Sequence, residues 1–175
     1  MGYPVFASGD VLLATDMNAV GLWLVKTQTI SASPQAVTDC FSASYDNYII
    51  TVSGGTASTS GNIEMSFSGV TNGMYEGRAG VSIPAGAFVG NVTDNGAKFL
   101  TGTYSTTGKF MYTILLNPFL STQTRHITPG FLASTSEVTS STGFINNTSS
   151  FTGFTLTASS GTWTGGTIRV YGLRN

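Results

Sequence analysis

Charge is what this sequence has least of. Only 9% of its 175 residues are charged, with 7 Lys+Arg and 8 Asp+Glu, against roughly 25% in an average globular domain. So few basic residues cannot build the surface that binds a nucleic-acid backbone, and we expect no nucleic-acid partner. A surface with this little charge is typical of a chain that is largely covered in an assembly.

Cysteine and histidine occur once each. A single Cys40 excludes an intrachain disulfide, and its apolar neighbours Val37 and Phe41 predict a small buried side chain. There is no His/Cys set at zinc spacing and no Asp-rich calcium loop. We therefore predict neither a metal site nor a cofactor.

Catalytic patterns are also absent. No serine has the Gly-x-Ser-x-Gly surroundings of a nucleophile elbow, and Glu64, Glu76 and Glu137 lie far apart for a glycosidase pair. His126 is predicted to be a strand histidine that hydrogen-bonds its surroundings. No apolar run is long enough to span a bilayer, and the first residues lack a signal-peptide pattern. We predict a protein that is not an enzyme and does not insert into a membrane.

Hydrophobic residues nevertheless make up 41% of the chain, and they alternate with polar ones. A period of two, broken by glycine-rich turns, predicts half-buried β-strands. A short strand at 126–127 should end before Pro129, and Asp94-Asn95-Gly96 predicts a tight hairpin turn. The longer predicted strands are 22–30, 48–52, 63–68, 110–116, 151–157 and 167–173.

The spacing of these strands predicts the fold class. About eight short strands without a long helix predict a single antiparallel β-sandwich over residues 22–175. A jelly roll is the first topology that we consider, and an immunoglobulin-like sandwich is the second.

Residues 1–21 differ from the rest and are predicted to form an extended arm. Thr15 or Asp16 can cap one helical turn that Gly21 ends. Such an arm packs either on its own domain or on a neighbouring subunit, where it would anchor the chain. The candidate anchor residues are Tyr3, Val5, Phe6, Val11, Leu12 and Met17.

Three aromatic residues in glycine-rich or loop-like contexts are candidates for contacts. Trp163, Tyr75 and Tyr104 could each stack on a sugar ring, as a receptor-binding surface requires. Equally, they could pack against another subunit or cover the end of the sandwich. For all three we favour packing.

Segments near both ends of the chain resemble a known group of proteins. Residues 6–18 read FASGDVLLATDMN, residues 22–26 LWLVK, residues 40–48 CFSASYDNY and residues 166–172 GTIRVYG. They resemble surface proteins of tailed-bacteriophage virions, of the tail-fibre, minor-tail or head-decoration type. Residues 70–140 carry no such signature, and the resemblance brings no catalytic residue with it.

This resemblance implies a non-enzymatic structural protein located in the virion. It implies other virion proteins as partners and a homo-oligomer, with a trimer favoured. The first hypothesis is a short fibre or tail-tip module that binds a host-surface glycan. The alternative is a decoration or head-fibre protein that binds the capsid shell, and a glycan-degrading enzyme is a distant third.

Overall fold

The computed structural model describes residues 21–82, 85–132 and 137–173. All regular structure in these ranges is β-strand, and every strand pair is antiparallel. The predicted all-β, antiparallel class is therefore confirmed. The predicted arm, its helical turn and its anchor candidates lie outside the described residues, namely Tyr3, Val5, Phe6, Val11, Leu12 and Met17.

Fourteen strands are present in the described part of the chain, against about eight that the sequence predicted. They are β1 (Leu22–Thr29), β2 (Gln35–Val37), β3 (Asn47–Ser53), β4 (Thr56–Ala57), β5 (Gly61–Ser66), β6 (Met74–Ser82), β7 (Phe88–Gly96), β8 (Phe99–Ser105), β9 (Gly108–Leu116), β10 (Arg125–Leu132), β11 (Glu137–Ile145), β12 (Phe154–Ala158), β13 (Trp163–Thr164) and β14 (Thr167–Leu173).

Two four-stranded arrangements form a sandwich-like body. One has the strand order β1-β14-β3-β9, and the other has the order β2-β12-β5-β8. They are joined where the first half of β9 pairs with β8, at Gly108–Met111. Side chains of both arrangements fill one core, among them Ile50, Met65, Phe99, Leu156 and Ile168.

Two hairpins extend this body sideways. β6 and β7 follow β5 in the chain, and β10 and β11 follow β9. The hairpins pair with each other through β11 and β6, and β10 continues the sheet from the second half of β9. The order from the body outward is β9-β10-β11-β6-β7. We call β6, β7, β10 and β11 the lateral extension.

Two local predictions about turns are wrong. β10 does not end before Pro129 but runs to Leu132, because it pairs with β11 along its whole length. Its pairing with β9 stops at Ile127, so no hydrogen bond from Pro129 to β9 is needed. Asn95 does have a positive φ of 56°, but it lies in an irregularity of the β6–β7 pairing rather than in a hairpin turn. Its Oδ1 accepts a hydrogen bond from the N–H of Gly73 at 2.9 Å.

Cys40 lies in the core, as predicted, and is free. Its Sγ lies 3.8 Å from the carbonyl oxygen of Val37. Burial raises the pKa of the thiol to about 12, so Cys40 stays protonated and acts as a small apolar side chain.

Candidate functional site: the outer face of the lateral extension

The lateral extension has two faces of opposite character. On β6 the inward positions hold Met74, Glu76 and Arg78, whereas the outward positions hold Tyr75, Gly77, Ala79 and Val81. This is the reverse of an ordinary half-exposed sheet, in which charged side chains face water and apolar ones face the core. From Glu76 onward, the strand therefore directs its ion pair inward and its apolar residues outward.

Several outward side chains are large, apolar and exposed. Phe88 and Val92 of β7 are 79% and 75% exposed, and three more lie on the neighbouring strands. A monomeric protein seldom leaves a contiguous apolar surface of this kind uncovered. The members on the neighbouring strands are Val81, Ile127 and Val138.

A shallow groove runs across the middle of this face. Strand register places Ile127, Thr142, Gly77 and Val92 in one row, and Pro129, Ser140, Ala79 and Gly90 in the next. The small residues form the floor, and Val92 and Ile127 form the walls, of a groove of about 740 Å³. In the described part of the structure, a Cβ added at Gly77 would meet no atom within 4 Å other than those of its two chain neighbours. We call this feature the apolar groove.

A second groove of about 720 Å³ lies beside it, where aromatic and polar side chains meet. The rings of Tyr75 and Phe144 stack with centroids 5.2 Å apart and planes at 13°. Asp94, Arg125 and Gln123 also line this groove. An aromatic pair beside charged and amide groups can contact both the apolar face and the hydroxyls of a small polar ligand. We call it the aromatic groove.

Beneath the outer face lies a buried ionic cluster. Oε2 of Glu76 accepts a hydrogen bond from the N–H of Leu100 at 2.7 Å, and Nε of Arg78 lies 3.2 Å from Oε1 of Glu76. Burial raises the pKa of Glu76 to about 6, against the opposing effects of the Leu100 hydrogen bond and of Arg78. The cluster fastens β6 to β8.

His126 completes the cluster from β10. Its Nε2 lies 3.5 Å from Oε2 of Glu76, its Nδ1 lies 3.4 Å from Oγ1 of Thr128, and its ring stacks on Phe99 at 4.1 Å. The side chain is fully buried, and this burial lowers its pKa to about 4. It is neutral at pH 7, and the prediction of a strand histidine held by its surroundings is confirmed.

The structure separates the three aromatic candidates. All three lie in strands rather than loops, Tyr75 in β6, Tyr104 in β8 and Trp163 in β13. Tyr104 and Trp163 are only 1% and 5% exposed, and their rings meet edge to face at 5.7 Å. Their packing is within this chain, so an exposed contact role for these two is corrected. Tyr75 alone lies on the outer face.

The residues of the apolar groove were missed in the sequence. Gly77, Ala79 and Gly90 have no distinctive chemistry, and their strands were not predicted. The available signal was the alternation of residues 74–82. The charged residues stand at even-numbered positions, and small or apolar residues stand at the odd-numbered positions between them.

Comparisons with protein families, with curated proteins and with solved structures find no match to this chain. Within the described ranges, no three His, Cys, Asp or Glu residues lie close enough to hold a metal ion. The same part of the chain contains no helix that is long and apolar enough to cross a membrane.

Proposed function

We propose that this chain is a non-enzymatic structural protein of a tailed-bacteriophage particle and that it acts as a homo-oligomer, with three copies favoured. The observation that carries the proposal is the resemblance of residues 6–18, 40–48 and 166–172 to virion surface proteins. The apolar outer face supports it, because such a surface is suited to contact with other proteins. The low charge of the chain supports it in the same way.

The proposal includes a jelly-roll topology for the body. Eight strands, taken in chain order as β1, β2, β3, β5, β8, β9, β12 and β14, divide into the two orders β1-β14-β3-β9 and β2-β12-β5-β8. The first strand, β1, pairs with the last, β14, and the two layers are joined where β8 pairs with β9, the strand that follows it in the chain. This arrangement supports a jelly roll, the architecture of many capsid and lectin domains. The lateral extension is then made by two insertions.

Within the particle we favour a tail-associated position, as a short fibre or tail-tip module that binds a host-surface glycan. The aromatic groove supports this role, because Tyr75 and Phe144 offer a stacking surface beside Asp94, Arg125 and Gln123. Single sites of this kind bind weakly, and an oligomer would raise the overall affinity through multivalency.

A capsid decoration or head-fibre protein is the second candidate. The observation in its favour is the exposed apolar face, which a shell protein could cover as well as another copy could. Glycan hydrolysis has less support. It needs two carboxylates flanking the sugar. Glu76 and Asp94 both line the aromatic groove, but the carboxylate of Glu76 faces inward and accepts a hydrogen bond from Leu100.

Electron microscopy with a gold-labelled antibody tests this proposal on intact particles and on separated heads and tails. Label at the tail tip supports the tail-associated role, and label spread over the head supports the decoration role. Particles that carry no label, while the antibody still recognises the unassembled protein, would overturn the proposal.

A further inference from the structure

We propose that the outer face of the lateral extension is the contact between copies of this chain, with Val92 and Phe88 of one copy packed into the apolar groove of another. The inference rests on the proposed homo-oligomer and adds the surface that forms it. Three independent features of the described residues lead to it.

The first feature is the polarity of β6. Burying Glu76 and Arg78 on the inner face removes the two charges that would otherwise keep this strand hydrated. Burial of such a pair is costly unless the geometry compensates, whereas facing them outward would avoid the cost. The outward parity instead holds Gly77, Ala79 and Val81, which water solvates poorly. This arrangement suits a face that is covered in the working state.

The second feature is shape. The two central rows of the face contain small residues, and among the described residues, other than the chain neighbours of Gly77, none has an atom within 4 Å of a Cβ placed on Gly77. Beside this depression stands β7, from which Phe88 and Val92 project with most of their surface exposed. The same face thus presents a ridge and a groove, so that in a ring the ridge of each copy can enter the groove of the next.

The third feature is the difference between the ends of the sheet. At one end, β1 is tied to the neighbouring layer, because Lys26 Nζ donates to the carbonyl of Thr38 and Gln28 Nε2 donates to that of Ala36 at 2.7 Å. At the other end, β7 pairs only with β6 among the described strands. Its protective features, Asp94 and the irregularity at Asn95, lie at its far end, and the part with Phe88 and Val92 has neither lysine nor proline to discourage pairing.

Charge favours a second copy over a charged partner. The two central rows of the face contain no ionisable residue. Arg78, which also lines the groove, is paired with Glu76, and the whole chain carries a net charge of -1. Two such faces can therefore meet with little electrostatic repulsion and without burying an unpaired charge.

Substitutions in the apolar groove test the proposal by size-exclusion chromatography with light scattering. Gly77→Val fills the groove at a position where the new side chain has room and where a β-branched residue suits the strand. We expect the mass to fall from that of an oligomer to that of one 18.2 kDa chain, with no loss of thermal stability of the folded domain. Gly108→Val is the matched control, since Gly108 is equally unobstructed but lies at the start of β9.

A second pair of variants guards against an effect of one substitution on folding. Val92→Lys places a charge on the proposed ridge, and Phe110→Lys places one on an exposed aromatic residue of β9. We expect Val92→Lys to dissociate the oligomer and Phe110→Lys to retain it. An unmodified chain that is monomeric across a concentration series overturns the proposal. It is also overturned if Gly77→Val and Val92→Lys keep the mass of the natural oligomer. The same holds if the controls Gly108→Val and Phe110→Lys dissociate the oligomer as fully as Gly77→Val and Val92→Lys do.

The same variants separate this inference from the proposed function. If the chain is monomeric in solution but the antibody against it still labels phage particles, the subunit contact is rejected and the virion role is retained. If the chain forms a stable oligomer that depends on Gly77 and Val92 but the antibody never labels particles, the subunit contact is retained and the virion role is rejected.

Discussion

Nε of Arg78 lies 3.2 Å from Oε1 of Glu76, and both side chains lie on the inner face of β6. The pair is held between the lateral extension and β8, where Glu76 also accepts the N–H of Leu100. The extension therefore contacts the body through the hydrogen bond from Leu100 and through buried apolar side chains such as Met74 and Ile145, while the apolar residues of its opposite face are exposed.

Breaking this pair should destabilise the fold. Arg78→Met leaves the Glu76 carboxylate buried without its cation, and loss of one partner of a buried pair costs about 3 kcal/mol. We expect a decrease of this size in the free energy of unfolding in urea. Arg125→Met is the control, because Arg125 is exposed and its removal should change that free energy by less than about 0.5 kcal/mol. Equal losses in the two variants would show that the pair does not stabilise the fold.

The buried cluster should also make stability depend on pH in two opposing ways. His126 has its pKa lowered from 6.5 to about 4, so the unfolded chain binds more protons between those values. Its contribution to stability therefore rises as pH rises through that window. Glu76 has its pKa raised from 4.5 to about 6. The folded chain binds more protons there, and its contribution falls as pH rises.

Replacing each residue separates these two effects. Between pH 4.5 and 6, His126→Gln should make the slope of unfolding free energy against pH more negative than in the natural chain. Glu76→Gln should make the slope more positive. Urea unfolding at several pH values measures both slopes. If both variants keep the natural slope, these two groups do not titrate with the shifted pKa values.

Lys109 should be important for the end of the sandwich that contains Trp163. Its Nζ donates to the carbonyl oxygens of Thr56, Thr164 and Gly165 at 2.6, 3.3 and 3.2 Å. Lys109→Met would leave these three carbonyl oxygens without their hydrogen-bond donor. We expect the free energy of unfolding, measured by thermal unfolding, to fall by about 2 kcal/mol. Lys98→Met is the control, because its ion pair with Glu64 is exposed and should contribute less than about 1 kcal/mol. Similar losses for the two lysines would contradict this role.

The aromatic groove predicts a specific loss of glycan binding. Tyr75→Ala removes one ring of the stacked pair and should weaken binding to a glycan array about tenfold, which is about 1.4 kcal/mol. Tyr112→Ala is the control, since Tyr112 is an exposed tyrosine on β9 outside the groove. Binding that Tyr75→Ala leaves unchanged would place any glycan site elsewhere.

Most of the body could be predicted from the sequence, whereas the lateral extension could not. β3, β9 and β14 bury every second residue, and examples of buried apolar pairs are Ile50 and Val52 or Ile168 and Val170. Because this alternation is visible in the sequence, the bounds of the three strands were predicted within two residues. β6 and β7 carry glycines and reversed polarity, which hide the usual alternation. The pairing of β6 with β11 joins residues more than 50 positions apart, such as Val81 and Val138, and no local pattern specifies such a contact.

The aromatic candidates show the same limit. Trp163 is surrounded by glycine and threonine, which predicts a loop, yet it pairs with Ala57 in a two-residue strand. Its burial comes from Tyr104 and Lys109, which lie more than 50 residues earlier in the chain. Tyr75 was selected for the same reason and does lie on the outer face, because its strand is held from beneath by the Glu76 cluster.

The most direct test of the virion assignment is the copy number of this chain in density-purified phage particles, measured by quantitative mass spectrometry with isotope-labelled peptides. We expect a fixed number of copies per particle that is a multiple of three and that is retained through repeated purification. Absence of the chain from particles, or an amount that falls with each purification step, would contradict it.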